Sequence, residues 1–444
     1  MRASFSDHRK SWQGYSCGAV TCVQRTRSKQ SFSRMHRSRH TQTIAWMLSR
    51  YVGSFRGYRD PSITLIVIAT AAWRPWREQE RIAWSPWSRR IHSISDNTSM
   101  KALVYLGPGK KALQDHPKPE ITAVTDAIVK ISKTTICGTD LHILKGDVPT
   151  CEAGRILGHE GVGVIETVGA AVSTFKPGDR VLISCITACG KCEYCRKLMY
   201  SHCTTGGWIL GNTIDGTQSE YVRIPYAETS LYHLPEGADE EALVMLSDIL
   251  PTGFECGVLN GKVHPGCTVA IVGAGPIGLA ALLTAQFYSP AEIIMVDLDE
   301  NRLALAKRFG ATAIVNSSDG TAAAAVMALT KGRGVDAAIE AVGIPATFEL
   351  CEKIVAAGGT IANIGVHGAQ VSLHLESLWD RNITITTRLV DTVSTPMLMQ
   401  TLQSGKIDPK LLITHRFALD QIIDAYDTFA RAADTKALKV IIHA

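Results

Sequence analysis

Acidic side chains are scarce at the start of this 444-residue sequence: residues 1–99 hold 5 Asp+Glu against 17 Lys+Arg, and only two of those bases are lysine. The same stretch lacks a membrane span, because its one apolar run, residues 63–72, is about half the roughly 20 residues a bilayer demands. It also lacks a secretory apolar core and any sustained helical or strand period. The run is too short to span a bilayer, and the missing secretory core argues against a secreted, disulfide-stapled fold. What is present is Arg, Ser and six of the eight tryptophans: Trp12, Trp46, Trp73, Trp76, Trp84 and Trp87. Three readings fit: a non-native or disordered extension, an Arg-rich transit peptide, or a basic arm that touches nucleic acid. The first is preferred, with Met100 as the natural start. The rest of the chain carries 29 Lys+Arg against 36 Asp+Glu, so the basic excess belongs to residues 1–99 alone.

Beyond residue 100 there is no internal repeat or low-complexity tract. To about residue 250 the pattern is β-like, with short β-branched runs such as 161–169 and 180–184 separated by Gly/Pro/Asp turns like Lys176-Pro177-Gly178-Asp179. From about Pro251 it alternates strand and helix. Strands are expected over 268–272, 292–296, 335–339 and 360–364, with helices over 277–287 and 300–309, the latter stopped by Gly310. That alternation predicts a parallel sheet covered on both faces. Helical stretches and a last strand, 438–442, follow residue 387.

Cys189, Cys192, Cys195 and Cys203 fall within fifteen residues. Four thiols at that spacing suit one tetrahedral Zn²⁺, and a closed four-thiolate shell holds a loop in shape rather than doing chemistry. Cys185, just upstream, reads as a buried strand thiol. A second, looser pair is Cys137 in Cys137-Gly138-Thr139-Asp140 and His159 in Gly158-His159-Glu160. By themselves these two also fit a small core residue and a structural histidine.

Gly273-Ala274-Gly275-Pro276-Ile277-Gly278 follows an apolar strand and opens a helix, the context that makes such glycines a dinucleotide loop. Gly273 permits the turn, Gly275 lets backbone approach a pyrophosphate, and Gly278 lets the helix pack closely. Asp297 ends the next strand. Its carboxylate accepts ribose hydroxyls and repels a 2′-phosphate, which favours NAD over NADP.

These four motifs, in this order, resemble the zinc-containing medium-chain alcohol dehydrogenases over about residues 100–444. The resemblance implies a catalytic zinc on Cys137 and His159. The third ligand is Asp248, in the branch where Asp replaces a cysteine, with Glu160 as its rival. Alcohol dehydrogenase is itself the standard example of an open zinc site with two cysteines and one histidine. It further implies that Thr139 touches the substrate oxygen and starts a proton relay through the cofactor ribose to His142. Asp140 orients His159 through its other ring nitrogen, and Trp208 lines the substrate pocket. Arg302 lies near the adenosine ribose, and Thr252 and Val366 near the nicotinamide.

The expected architecture is α/β. A chaperonin-10-like β-rich catalytic domain spans 100–250 and is completed by 388–444, and a Rossmann domain, a doubly wound parallel sheet, spans 251–387. The expected activity is reversible oxidation of small primary or secondary alcohols to aldehydes or ketones with NAD and two zinc ions per chain. The expected setting is a cytoplasmic homo-oligomer, preferably a tetramer, with no nucleic-acid or membrane partner. A polyol or threonine dehydrogenase of the same superfamily shares every motif, and glutathione-dependent formaldehyde oxidation is another option within the family. A zinc-stapled nucleic-acid-binding protein is the remote alternative, opposed by the net acidity of the body.

Overall fold

The computed structural model describes residues 98–444, so the expectations for residues 1–97 lie outside the described residues. The chain enters through an antiparallel ribbon, Ser99–Tyr105 with Lys111–Pro117. It then builds a seven-stranded sheet around Ala127–Ile136. On one side this strand pairs antiparallel with Gly161–Val168, which pairs in turn with Arg180–Ile183. On the other side it takes Lys439–His443, so a strand more than 300 residues later joins the same sheet. Alternation decides which side chains turn inward: Ala127, Val129 and Ile131 pack with Ile165, Val181 and Ile183.

The second sheet is parallel throughout. Its order is Ala313–Asn316, Glu292–Asp297, Thr268–Val272, Val335–Glu340, Val355–Asn363, Thr384–Thr387. Strand 268–272 is buried at all five residues, as a central parallel strand covered on both faces must be. From it the chain steps outward one way, returns, and then steps outward the other way. The order therefore reverses between 268–272 and 335–340, and a crevice opens there beyond the carboxyl ends of the strands.

Helix Pro276–Ala285 starts with proline at its first turn, where the missing N–H costs nothing. It is apolar all round because both sheets use it. Leu279 and Ala281 pack with Val269 and Ile271, while Ala280 packs with Val162, Leu182 and Ile249.

Element ends moved slightly from expectation: the helix ends at Ala285, and the strand expected from 360 already begins at Val355. One element was not foreseen. Gly253–Leu259 is a π-helix, not the start of a strand–helix rhythm. A Cβ on Gly253 would meet the backbone of Ala281 at 2.7 Å, so glycine lets this segment lie directly on its neighbour.

Candidate active site and metal centres

Antiparallel pairing brings Cys137 and His159 together. Thr134 faces Gly161 in the ladder, so the residues just beyond one strand meet those just before the other. Cys137 is the N-cap of helix Gly138–Lys145. Gly158 has φ +95, and a Cβ there would meet Gln218 at 2.6 Å, so glycine is required beside the histidine.

Asp248 comes from the connection into the second half of the chain. Ser247, fully buried, is held against the sheet by the Gly161 N–H, which donates to its hydroxyl at 3.1 Å, and its carbonyl takes the Cys185 N–H at 3.0 Å. That places Asp248 Oδ2 3.3 Å from His159 Nε2 and 3.7 Å from Cys137 Sγ. One donor atom each from Cys137, His159, Glu160 and Asp248 lie within 4.8 Å of one another. Burial pushes the His159 pKa down, yet it ends well above its ordinary value because Asp248 and Cys137 face it. Burial pushes Asp248 up, but the facing His159 and the Thr252 hydroxyl hold it below the usual carboxylate range.

Glu160 stands in this group but leans away. Its Oε2 is 2.5 Å from Nζ of Lys439, both side chains being buried, and it also takes the Thr135 hydroxyl. Its Oε1 is buried with no hydrogen-bond partner. Burial pushes the Lys439 pKa down, yet Glu160 and Cys137 around it hold it above its ordinary value.

Asp140 faces the other ring nitrogen of His159 at 4.0 Å, an ion-pair separation and not the hydrogen bond expected. Its Oδ2 instead accepts the Cys137 N–H at 2.9 Å and Gln218 Nε2 at 3.0 Å, and Tyr426 donates to Gln218 at 2.7 Å. Burial raises the Asp140 pKa. Thr139 Oγ1 is 3.7 Å from Cys137 Sγ. His142 lies one turn further on the same helix face, half-buried, with Nδ1 2.9 Å from Asp147. Trp208 sits edge-on to His159 with ring centres 6.4 Å apart.

Lys439, Gln218, Tyr426 and Asp147 were missed from the sequence. Only Lys439 left a signal there, a cation in the apolar run Leu438-Lys439-Val440-Ile441-Ile442. Cys185 is buried as expected, but its Sγ is 3.7 Å from Asp248 Oδ1, beside the donor cluster.

The four loop cysteines also converge, with all four sulfurs within 4.8 Å and those of Cys189 and Cys195 4.0 Å apart. Tetrahedral thiolates on one Zn²⁺ are roughly 3.8 Å apart, given metal–sulfur bonds of about 2.3 Å, whereas a disulfide needs about 2.05 Å. Backbone N–H groups of Cys189, Cys192 and Cys195 point at Cys203, Cys189 and Cys192 sulfurs. Such donors, from Cys195 and Thr204 foremost, lower the Cys192 pKa to about 6, while burial lifts Cys195 to about 12. Four thiolates this close repel strongly without a cation between them.

In the dinucleotide loop Gly273 has φ +110, and a Cβ on Gly278 would strike the Gly273 carbonyl. A Cβ on Gly275 would meet nothing within 4 Å, so that position opens onto free space at the helix N-terminus. Asp297 accepts the Ala274 N–H at 2.6 Å and the Asp299 N–H at 2.8 Å, one on each oxygen. The backbone N–H of Arg302 is tied to Asp299 at the start of helix Glu300–Arg308. Thr252 directs its hydroxyl to Asp248. Val366 is exposed beyond strand 355–363.

Residues 124–236 match the alcohol dehydrogenase GroES-like domain, and residues 276–403 match the zinc-binding dehydrogenase domain. The alcohol dehydrogenase of Cupriavidus necator is 38% identical over 368 residues, covering 77% of this chain and 98% of that one. The chain belongs to the zinc-dependent medium-chain alcohol dehydrogenase family.

The apo form of zinc-dependent alcohol dehydrogenase 2 from Streptococcus pneumonia superposes on this dehydrogenase with a TM-score of 0.75. It is 60% identical, over 78% of this chain and 98% of that one. Two further structures, each 27% identical with a TM-score of 0.71 over 78% of this chain, carry different dinucleotides. One, described as a short chain alcohol dehydrogenase from Escherichia coli CFT073, is complexed with NADH and covered to 100%. The other, a putative zinc-binding dehydrogenase from Sinorhizobium meliloti 1021, is bound to NADP and covered to 99%. This dehydrogenase thus pairs a GroES-like domain with a Rossmann-like parallel sheet and is an oxidoreductase. No helix among its described residues is long and apolar enough to cross a membrane.

Proposed function

We propose that this chain reversibly oxidises small primary or secondary alcohols to aldehydes or ketones with NAD, using one zinc at Cys137, His159 and Asp248 and a second in the four-cysteine loop. The observation that carries the reading is the convergence of a thiol, an imidazole and a carboxylate within 4.8 Å, with an unpartnered Glu160 oxygen beside them. One thiolate, one carboxylate and one neutral imidazole match a divalent cation in charge. When bound, zinc supplies the Lewis acidity that makes a hydroxyl acidic, and nicotinamide supplies the hydride acceptor.

The chain's own groups do the rest. Thr139, able to donate and accept at once, holds the substrate hydroxyl and takes up its proton path. His142, one turn along and paired with Asp147, delivers that proton to water, a task suited to an imidazole. Trp208 closes the apolar side of the pocket. Lys439 balances Glu160, keeping one negative charge from adding to those of the ligands. Asp297 stays oriented by two backbone N–H groups and retains lone pairs for ribose hydroxyls, which supports NAD over NADP.

We assign the catalytic domain to 100–250 with 388–444, and the dinucleotide domain to 251–387. A homo-oligomer, with a tetramer preferred, is supported by the edge strand Thr384–Thr387 and the exposed Leu375, Trp379 and Ile385 near it in sequence. Free thiols at every described cysteine suit a reducing, cytoplasmic setting.

The test is direct. The purified chain should carry about two zinc ions and reduce NAD with small alcohols in preference to sorbitol, threonine or a glutathione adduct of formaldehyde. Undiminished turnover after the metal is stripped would refute the reading.

A further inference from the structure

Glu340 and His367 take no part in the chemistry above, yet they sit beside the point where the strand order reverses. Glu340 is the last residue of strand Val335–Glu340 and fully buried. Its Oε1 accepts the N–H groups of Val342 at 3.0 Å and Gly343 at 2.9 Å, and the Thr347 hydroxyl at 2.6 Å. Those bonds shape the turn into helix Pro345–Ile354. Its Oε2 is buried without a hydrogen-bond partner, and Nε2 of His367 faces it at 3.4 Å. That nitrogen is also 2.8 Å from Asn363 Oδ1, and Asn363 Nδ2 donates to the Gly365 carbonyl at 2.9 Å.

The two turns joined in this way lie backbone on backbone. A Cβ on Gly343 would strike the Val366 carbonyl, and one on Gly365 would strike the Gly343 nitrogen. Their place in the sheet matters. The turn 341–343 leaves the strand on one side of the order reversal, and the glycine loop leaves the strand on the other. A Cβ on Gly273 would meet Val342 at 2.6 Å. The second turn, 364–367, reaches the metal side through Ile364, which packs against the cluster that holds Cys185 and Cys256. Val342, Ile344 and Val366 present exposed aliphatic side chains along this edge.

We propose that Glu340 and His367 are a positioning pair that locks these two turns together, so that the dinucleotide meets a floor already formed and aligned with the metal side. The proposal rests on the reading that this crevice binds a nicotinamide dinucleotide. A buried carboxylate oxygen without a hydrogen bond is costly, and Nε2 of His367, 3.4 Å away on the neighbouring turn, is the ring nitrogen that faces it. Without that tie the turn 364–367 can shift against 341–343, and part of the binding energy is then used to reorder it.

The experiment titrates NADH onto the full chain by fluorescence for the unaltered protein, Glu340→Gln, His367→Ala, the double variant and His367→Gln. Zinc content, melting temperature and alcohol KM are measured alongside. Each single substitution should weaken NADH by about tenfold, equivalent to roughly 1.4 kcal/mol, with zinc content and alcohol KM unchanged. The double variant should bind no worse than either single one, because both break the same tie. His367→Gln, which keeps a donor, should recover most of the loss. Should Glu340→Gln fail to fold, the contrast between His367→Ala and His367→Gln carries the decision. Unchanged NADH binding in the His367→Ala chain, multiplied losses in the double variant, or weakening that tracks zinc loss and a falling melting temperature would each overturn the pair. Failure of the unaltered chain to bind NADH would overturn the dinucleotide reading itself.

Discussion

Fifteen residues, Cys189 to Cys203, supply every thiol of one donor cluster, whereas Cys137 and Asp248 of the other are 111 positions apart. In the loop the sulfurs are met by backbone N–H groups and by each other, so the cluster is closed on itself. The mixed cluster is open. Glu160 and Asp140 each keep a buried carboxylate oxygen without a hydrogen-bond partner, and Lys439 offsets part of the charge from outside. A saturated set of like donors holds a shape; an unsaturated set of unlike donors leaves room for a reacting group. The first is local, drawn from one loop. The second is assembled from three segments and stands only if the seven-stranded sheet is in place.

Breaking each cluster in turn gives the largest expected contrast. Cys137→Ser should lower kcat/KM by about a thousandfold, roughly 4 kcal/mol, and remove one zinc while the melting temperature stays within a few degrees. Cys195→Ser should instead remove the other zinc together with cooperative unfolding. A folded, fully active Cys195→Ser chain would erase the distinction between the two sites.

Next comes the charge that balances the open cluster. Lys439→Met leaves Glu160 buried and unpaired, for which a loss of about 3–5 kcal/mol in urea denaturation is expected. Adding Glu160→Gln should restore much of it. If Lys439→Met alone is as stable as the parent, the pair does not carry the charge balance assigned to it. A smaller effect is expected at the cofactor end. Asp297→Ser should shift the ratio of kcat/KM for NAD over NADP by about tenfold toward NADP, near 1.4 kcal/mol; an unchanged ratio would remove Asp297 from the choice.

The smallest effect lies at a carboxylate that belongs to neither cluster and serves as their control. The Thr174 hydroxyl and Ser173 N–H donate to Glu228 and hold its carboxyl at about 2, below its ordinary 4.5. A depressed folded value stabilises the protein above about pH 4.5, and the contribution fades as pH falls toward 2. Glu228→Gln should therefore melt slightly lower at pH 7 and converge with the parent in acid. Zinc content and turnover should not change; if they do, the loop it caps is coupled to the chemistry after all.

Much of this protein is written in short-range pattern. The glycine loop, the buried strand before it, the cysteine spacing and Asp297 at a strand end are all local arrangements whose physics repeats wherever they occur, so they are legible without coordinates. Asp248 could be picked out only through a family resemblance, since a carboxylate before Pro251 has no local signature of a ligand. Its place is decided by Ser247 pinned to the sheet. The Lys439–Glu160 tie, the Gln218–Tyr426 support behind Asp140, and the Glu340–His367 contact were not foreseen. Each joins residues far apart in the chain whose proximity depends on strand order within a sheet. Sequence spacing encodes what one turn, loop or strand can do on its own. Which distant charges share a buried space is settled only when the sheets close, because the energy of a buried charge depends on every group around it.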